Sequence, residues 1–256
     1  FPLIRIQGAF NELGCAAPYS IAKMDNGLFW LGRDARGQGM VYRANGYTGQ
    51  RISTHAVEWQ IQRYGDLSDT IGYTYQQDGH SFYVLVFPSA NTTWVYDVAT
   101  QAWHERAGFV DGAFTRHRGN CQAFFNNNVM IGDHENGNIY SYDLTNYSDN
   151  GTPQKWLRSW RALPTGQNNL KRTAQHSLQL DVESGVGLNT GQGSDPQVML
   201  RWSDDGGHTW SNEHWVSIGK IGEYGRRAIW RRLGMTMKLR DRVYEVSGTD
   251  PVKITI

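Results

Sequence analysis

Apolar and polar positions alternate over short spans along this chain, and turn-forming residues break the alternation repeatedly. Three segments line up. Leu28-Phe29-Trp30-Leu31-Gly32 is followed by a polar, glycine-rich turn and Met40-Val41-Tyr42-Arg43. Phe82-Tyr83-Val84-Leu85-Val86-Phe87 is followed by a turn at 88–91 and Thr93-Trp94-Val95-Tyr96-Asp97. Val129-Met130-Ile131-Gly132 is followed by a turn at 133–138 and Ile139-Tyr140-Ser141-Tyr142-Asp143. A strand-like run precedes each: Tyr19 to Ala22 before Asp25-Asn26-Gly27, Ile71 to Tyr75 before Asp78-Gly79, and Cys121 to Phe125 before Asn126-Asn127-Asn128. Period-two alternation bounded by such turns predicts antiparallel strands.

The tyrosines Tyr42, Tyr96 and Tyr142 recur at intervals of 54 and 46 residues, enough for four short strands with their turns. A repeat of roughly 40–50 residues with this strand content predicts β-propeller blades, whose sheets bury both faces by stacking on one another. A β-sandwich also uses short strands, but its strands are not expected to repeat in register. Three blades do not close a propeller, which takes roughly 4–8. The remaining blades are expected before Phe1, among the residues after 155, or missing because the chain is a fragment. The chain opens on Phe1 with no basic-then-apolar leader, so we expect a processed chain or a fragment.

The texture changes near Gly151-Thr152-Pro153. We therefore read residues 1–154 as propeller blades and 155–256 as a second antiparallel β region. Ser177 to Asp181, Val198 to Trp202, Ala228 to Leu233 and Val243 to Val246 alternate, and no helical period is sustained there. The overall expectation is an all-β chain. Charge supports the division: 10 basic and 14 acidic residues lie in 1–154, against 15 and 10 in 155–256. With 29 Gly, 10 Trp and 13 Tyr in 256 residues, tight turns and large strand side chains dominate the composition. That excludes a disordered chain or a coiled coil. No apolar run approaches the roughly 20 residues of a membrane-spanning helix. Cys15 and Cys121 are too few for a disulfide framework and are expected as buried free thiols.

One motif is sharp. Ser203-Asp204-Asp205-Gly206-Gly207-His208-Thr209-Trp210 reads Ser-x-Asp-x-Gly-x-Thr-Trp and resembles the Asp-box of sialidases and related propellers. Ser203 and Asp205 are expected to accept backbone N–H groups within a tight hairpin. Gly207 is expected in the left-handed region, and Trp210 folded back over the turn beside Thr209. We read it as a structural brace rather than a reactive centre. A second feature is a late run of cations, Arg226, Arg227, Arg231, Arg232, Lys238, Arg240 and Arg242. It is either a solvated strand face or a contact for nucleic acid or an acidic partner.

Catalytic patterns are missing. The eight histidines form no His-x-x-x-His or His-Glu-x-x-His pattern, and there is no Gly-x-Ser-x-Gly elbow. The tract 185–193 is glycine-rich but lacks the Gly-Lys-Ser/Thr of a phosphate loop, so we read it as a hairpin loop. Asp133-His134-Glu135 reads as polar filling of a turn. We expect no catalytic residue, no metal site and no cofactor.

The stretch 200–210, then Arg226-Arg227, Trp230-Arg231-Arg232-Leu233-Gly234 and Arg242-Val243-Tyr244-Glu245-Val246-Ser247, resembles the packaged-DNA stabilisation proteins of P22-like short-tailed bacteriophages, also called tail hub or nozzle proteins. So do Asn11-Glu12-Leu13-Gly14-Cys15 and Asn26-Gly27-Leu28-Phe29-Trp30-Leu31-Gly32. The resemblance implies a longer, propeller-bearing, non-enzymatic subunit in a six-fold ring of the virion tail, assembled in the bacterial host cytoplasm. It also implies contacts with a portal-adaptor protein, a tail needle and packaged double-stranded DNA, gripped without sequence preference, and none with a membrane. Two other classes compete: a sialidase-like glycan hydrolase, and a carbohydrate-binding or scaffold propeller. Turnover on a glycan panel or the gene neighbourhood separates them from the structural reading.

Overall fold

The computed structural model describes residues 4, 7–8, 11–161, 172–236 and 242–255. Two compact units divide the chain, 1–143 and 144–256.

The first unit is a row of antiparallel blades. Blade 1 contains β1 (Gly14–Cys15), β2 (Ala22–Met24), β3 (Gly27–Arg33), β4 (Gly39–Asn45) and β5 (Thr48–Arg51), with β1 and β2 both paired to β3. Blade 2 is the four-stranded meander β6 (Ile71–Gln77), β7 (His80–Phe87), β8 (Thr92–Asp97) and β9 (Ala102–Glu105). A hairpin of β10 (Ala107–Val110) and β11 (Ala113–Arg116) leads to blade 3: β12 (Gly119–Phe125), β13 (Asn128–Asp133) and β14 (Ile139–Ser141). The turns have a common cause. Asp25-Asn26, Asp78-Gly79 and Asn126-Asn127 all take positive φ at both central positions, the handedness that matches the twist of a two-residue hairpin.

Register makes the repeat physical. Tyr42 pairs with Trp30, Tyr96 pairs with Tyr83, and the Tyr142 N–H donates to the Val129 carbonyl at 3.0 Å. Each tyrosine therefore faces the central strand of its blade. Phe29, Leu31 and Val41 of blade 1 meet Tyr83, Leu85, Phe87 and Tyr96 of blade 2 in one core. Tyr73, Tyr75, Val84, Val86 and Val95, on the other face of blade 2, meet Val129, Ile131 and Tyr142 of blade 3. Alternation along each strand thus gives every blade a leading face, which carries the tyrosine, and a trailing face, which receives the next blade. A fully buried Leu or Phe at such a junction contributes about 1.5–3 kcal/mol.

The first strand of blade 2 approaches blade 1 closely. The Tyr83 hydroxyl donates to the Ser20 carbonyl at 2.7 Å. A Cβ at Gly72 would lie 2.9 Å from the Ser20 carbonyl carbon, so this position has room only for glycine's hydrogen.

Two expectations fail here, those for Tyr19 and for the two thiols, and one short helix stands in the otherwise all-β chain. Residues Pro18–Ser20 form a single 3₁₀ turn, and the strand runs from Ala22 to Met24, not from Tyr19; Pro18 sets a turn φ and leaves Tyr19 75% exposed. Residues His55–Ile61 form a helix, α1, between blades 1 and 2. The Thr54 side chain caps it, Val57 and Ile61 enter the first core, and buried Glu58 binds Arg51 and Ser53. Cys15 and Cys121 are free, but both are exposed rather than buried, because they lie on strand faces that no described blade covers.

The second unit opens with the hairpin β15 (Ser148–Asp149) and β16 (Thr152–Pro153). It then gives β17 (Trp156–Arg161), β18 (Ser177–Leu180), β19 (Gln197–Ser203), β20 (His214–Ser217), β21 (Ala228–Arg231) and β22 (Val243–Gly248). One antiparallel sheet has the order β17-β22-β19-β20, and β18 pairs with β21 in a second. Val198, Leu200, Ile218, Ala228, Trp230, Tyr244 and Val246 form the core they share.

Candidate functional site

The Asp-box hairpin grows out of the end of β19. Ser203 is 1% exposed. Its Oγ accepts the Gly207 N–H at 2.9 Å and donates to Asp205 Oδ1 at 2.6 Å. Asp205 Oδ1 also accepts the N–H groups of His208 (2.9 Å) and Thr209 (2.8 Å), while Oδ2 accepts the Thr209 hydroxyl (2.7 Å). The Ser203 hydroxyl, followed by the Thr209 and His208 donors, holds the Asp205 carboxyl well below the usual carboxylate range. Gly207 sits at φ +103°, where its missing side chain leaves 3.8 Å to the Trp210 ring. The Arg201 guanidinium stacks 4.6 Å from the centre of that ring and pairs with Glu245. Both oxygens of Asp205 are turned inward, onto the hairpin's own backbone and hydroxyls.

Asp204 has a different task, one that sequence spacing did not reveal. Its carboxylate takes both Nε (2.6 Å) and Nη2 (2.8 Å) of Arg242. The same guanidinium donates to the carbonyls of Leu233 (2.8 Å) and Met235 (3.1 Å) and lies between the Trp202 and Tyr244 rings. The Arg242 side chain is 2% exposed. It therefore offers nothing to a nucleic acid or a partner protein, and its place in the late cationic run is corrected: desolvation has been offset by a bidentate carboxylate. A second acid in the box with no turn to close is the signal that a distant cation was needed.

The other arginines are arranged differently. Arg226, Arg227, Arg231 and Arg232 are exposed, while Ala228 and Trp230 between them are buried. Arg232 takes φ +61° and donates its N–H to the His176 carbonyl at 2.8 Å, ending the β18–β21 ladder. Lys238 and Arg240 lie outside the described residues. The first unit holds a polar group of its own between blades 2 and 3. The Tyr73 and Tyr142 hydroxyls meet at 3.2 Å, Arg106 donates to Tyr142 at 3.3 Å, and His117 Nδ1 accepts the Gly119 N–H at 3.0 Å. Burial, followed by the neighbouring Arg106, His134 and Arg118, pushes His117 down to about 3. Asp133 is more than turn filling. Its enclosed carboxylate accepts from Glu135 N–H, Asn136, Tyr140 and Arg118 and so organises the β13–β14 loop.

Among the described residues, no group of three or more His, Cys, Asp and Glu is arranged to hold a metal ion, and no helix is long and apolar enough to cross a membrane. Residues 1–147 match the family model described as "Bacteriophage P22 Gp10, beta-propeller", and residues 155–256 match "Bacteriophage P22 Gp10, beta-sandwich". The chain belongs to the bacteriophage P22 Gp10 family. It is therefore a structural protein of the phage tail, of the DNA-stabilising kind, and its stacked blades and its two facing sheets are that family's propeller and sandwich. No curated protein matches the chain.

Proposed function

We propose that this Gp10-family chain is a mechanical, non-enzymatic part of the virion tail. Copies form a six-membered ring that continues the portal channel, holds packaged DNA and conducts it during ejection. A portal-adaptor protein lies on one side and a tail needle on the other, and the particle is assembled in the host cytoplasm. We set the domain boundary at 154/155. The observation that carries the reading is the pair of family matches, which together span both halves of the chain. The chemistry agrees with it: the Asp-box spends its carboxylate on its own turn, consistent with a brace formed by Ser203, Asp205, Gly207, Thr209 and Trp210. Nothing in the site's geometry favours a glycan hydrolase or a sugar-binding propeller.

The exposed arginines 226, 227, 231 and 232 are the surface we assign to DNA or to an acidic partner. Native mass spectrometry of the chain with portal-adaptor and needle proteins is expected to show joint complexes; failure to bind either one would overturn the hub reading. If the four arginines touch DNA, replacing all of them with alanine lowers the slope of log K against log salt by about 0.9 for each phosphate the protein no longer neutralises. An unchanged slope would remove them from the DNA surface.

A further inference from the structure

The connection between blades 1 and 2 carries α1, the one α-helix among the described residues. It is firmly seated. Thr54 caps it, Val57 and Ile61 enter the core that the two blades share, and Glu58 is bound by Arg51 and Ser53. Ile61 fills the space that Gly39 leaves at the start of β4, where a Cβ would lie 2.6 Å from its Cγ2. Anchors at the cap, on two apolar side chains and at one carboxylate fix which way the helix faces.

The opposite side of α1 carries a stripe at helical spacing: His55, Trp59 and, one turn further on, Arg63. Both blades beside α1 are described, and the stripe faces away from the core they share. Trp59 is 55% exposed, and the Arg63 guanidinium lies 4.5 Å from the centre of its ring. That contact holds indole and cation in one arrangement. The exposed His55 imidazole stands 3.8 Å from the Glu58 carboxylate. Arg63 makes no ion pair among the described residues. The carboxylates nearest to it in the chain are engaged elsewhere: Glu58 holds Arg51, and Asp66 accepts from the Ser68 N–H and hydroxyl.

We infer that the Trp59–Arg63 stripe docks on an acidic protein surface of a neighbouring tail component. Tryptophan and arginine are the residue types that most often carry an interface's binding energy, and here both are held in place before any partner arrives. The chemistry selects the occupant. The guanidinium without a carboxylate, and the imidazole on the same stripe, call for acidic groups, and the half-exposed indole calls for an apolar cleft. The phosphates of duplex DNA would satisfy the cation and leave the indole in water, so a protein face suits the stripe better than nucleic acid does. The inference rests on the hub proposed above, because it takes its partner from the adjoining proteins. It adds a docking surface in the first unit to the arginines assigned in the second.

The test measures binding of the full chain to the portal-adaptor protein, to the needle protein and to a DNA duplex, each separately. Trp59→Ala is expected to weaken one of the two protein complexes at least about tenfold. Arg63→Glu is expected to weaken the same complex, and Arg63→Lys to keep part of the affinity. The parent's affinity for that partner should fall as salt rises, and the fall should be shallower in Arg63→Glu. Both positions are exposed, so circular dichroism and thermal unfolding should match the parent. The duplex should bind every variant as it binds the parent. Protein complexes that Trp59→Ala and Arg63→Glu leave unchanged would overturn this surface and leave the hub reading standing. An effect confined to the duplex, or to self-association in sedimentation velocity, would also overturn it, assigning the stripe to nucleic acid or to a second copy. A parent that binds neither protein would overturn the hub reading and this surface with it.

Discussion

The two units solve the same problem, a β-rich chain with large aromatic side chains, by different means. In the first, stability is spread over repeated apolar junctions: Tyr42, Tyr96 and Tyr142 each stand on the same face of successive blades, and each filled junction buries a comparable set of side chains. In the second, two sheets share one core, and a few polar links fasten the edges around it. Arg242 ties Asp204 to two carbonyls, and Asp205 ties one hairpin to itself. Repetition lets a fold lose part of one interface and keep the others. In the second unit the polar links fastened onto its one apolar core have no such reserve, because a buried group deprived of its partner is costly.

The sharpest way to break this contrast is Arg242→Ala. It strands the Asp204 carboxylate and two carbonyls in a site where the arginine is 2% exposed. The expected cost is about 3–5 kcal/mol, and hydrogen exchange should show the loss of protection confined to residues 144–256. Equal loss across 1–143 would show that the two units do not hold their stability separately. Ser203→Ala comes next. It removes the acceptor for the Gly207 N–H and a donor to Asp205, for an expected cost of roughly 1–3 kcal/mol. A change within experimental error would mean that the hairpin closes without its serine.

The mildest test addresses the first unit through pH. His117 is held down to about 3, below its ordinary value near 6.5. The folded state therefore binds its proton less readily than the unfolded chain does. The stability associated with neutral His117 is complete above about pH 6.5 and is lost as pH falls from there towards 3. His117→Gln should flatten that part of the stability–pH curve measured by chemical denaturation. A curve of unchanged slope would show that carboxylates, rather than this imidazole, set the acid sensitivity.

The blades were legible in the sequence because strands and primed turns are local. Period-two alternation needs only neighbours, and Asp25-Asn26, Asp78-Gly79 and Asn126-Asn127 carry the residue types that tolerate positive φ. The hairpin at 203–210 was readable for the same reason, since the bonds that Ser203 and Asp205 make within it span four residues or fewer. What escaped was non-local or short. Arg242 and Asp204 are 38 residues apart, and nothing in the alternation around Arg242 separates a buried cation from an exposed one. Helix α1 has seven residues, too few to show a period, and it forms because Val57 and Ile61 find a core and Thr54 a cap. The thiols misled because free cysteine usually packs inside, whereas Cys15 and Cys121 lie on faces whose covering is not written in their own neighbourhood.

Gly72 has a consequence out of proportion to its size. What a methyl group would strike there is the Ser20 main chain, not a side chain that could swing aside. Relief would require the first two blades to part at their inner edge, which would stretch the bond from the Tyr83 hydroxyl to the same serine. A single hydrogen atom thus sets how closely these two blades can approach. Gly72→Ala would open their junction along this edge before it loosened the rest of it.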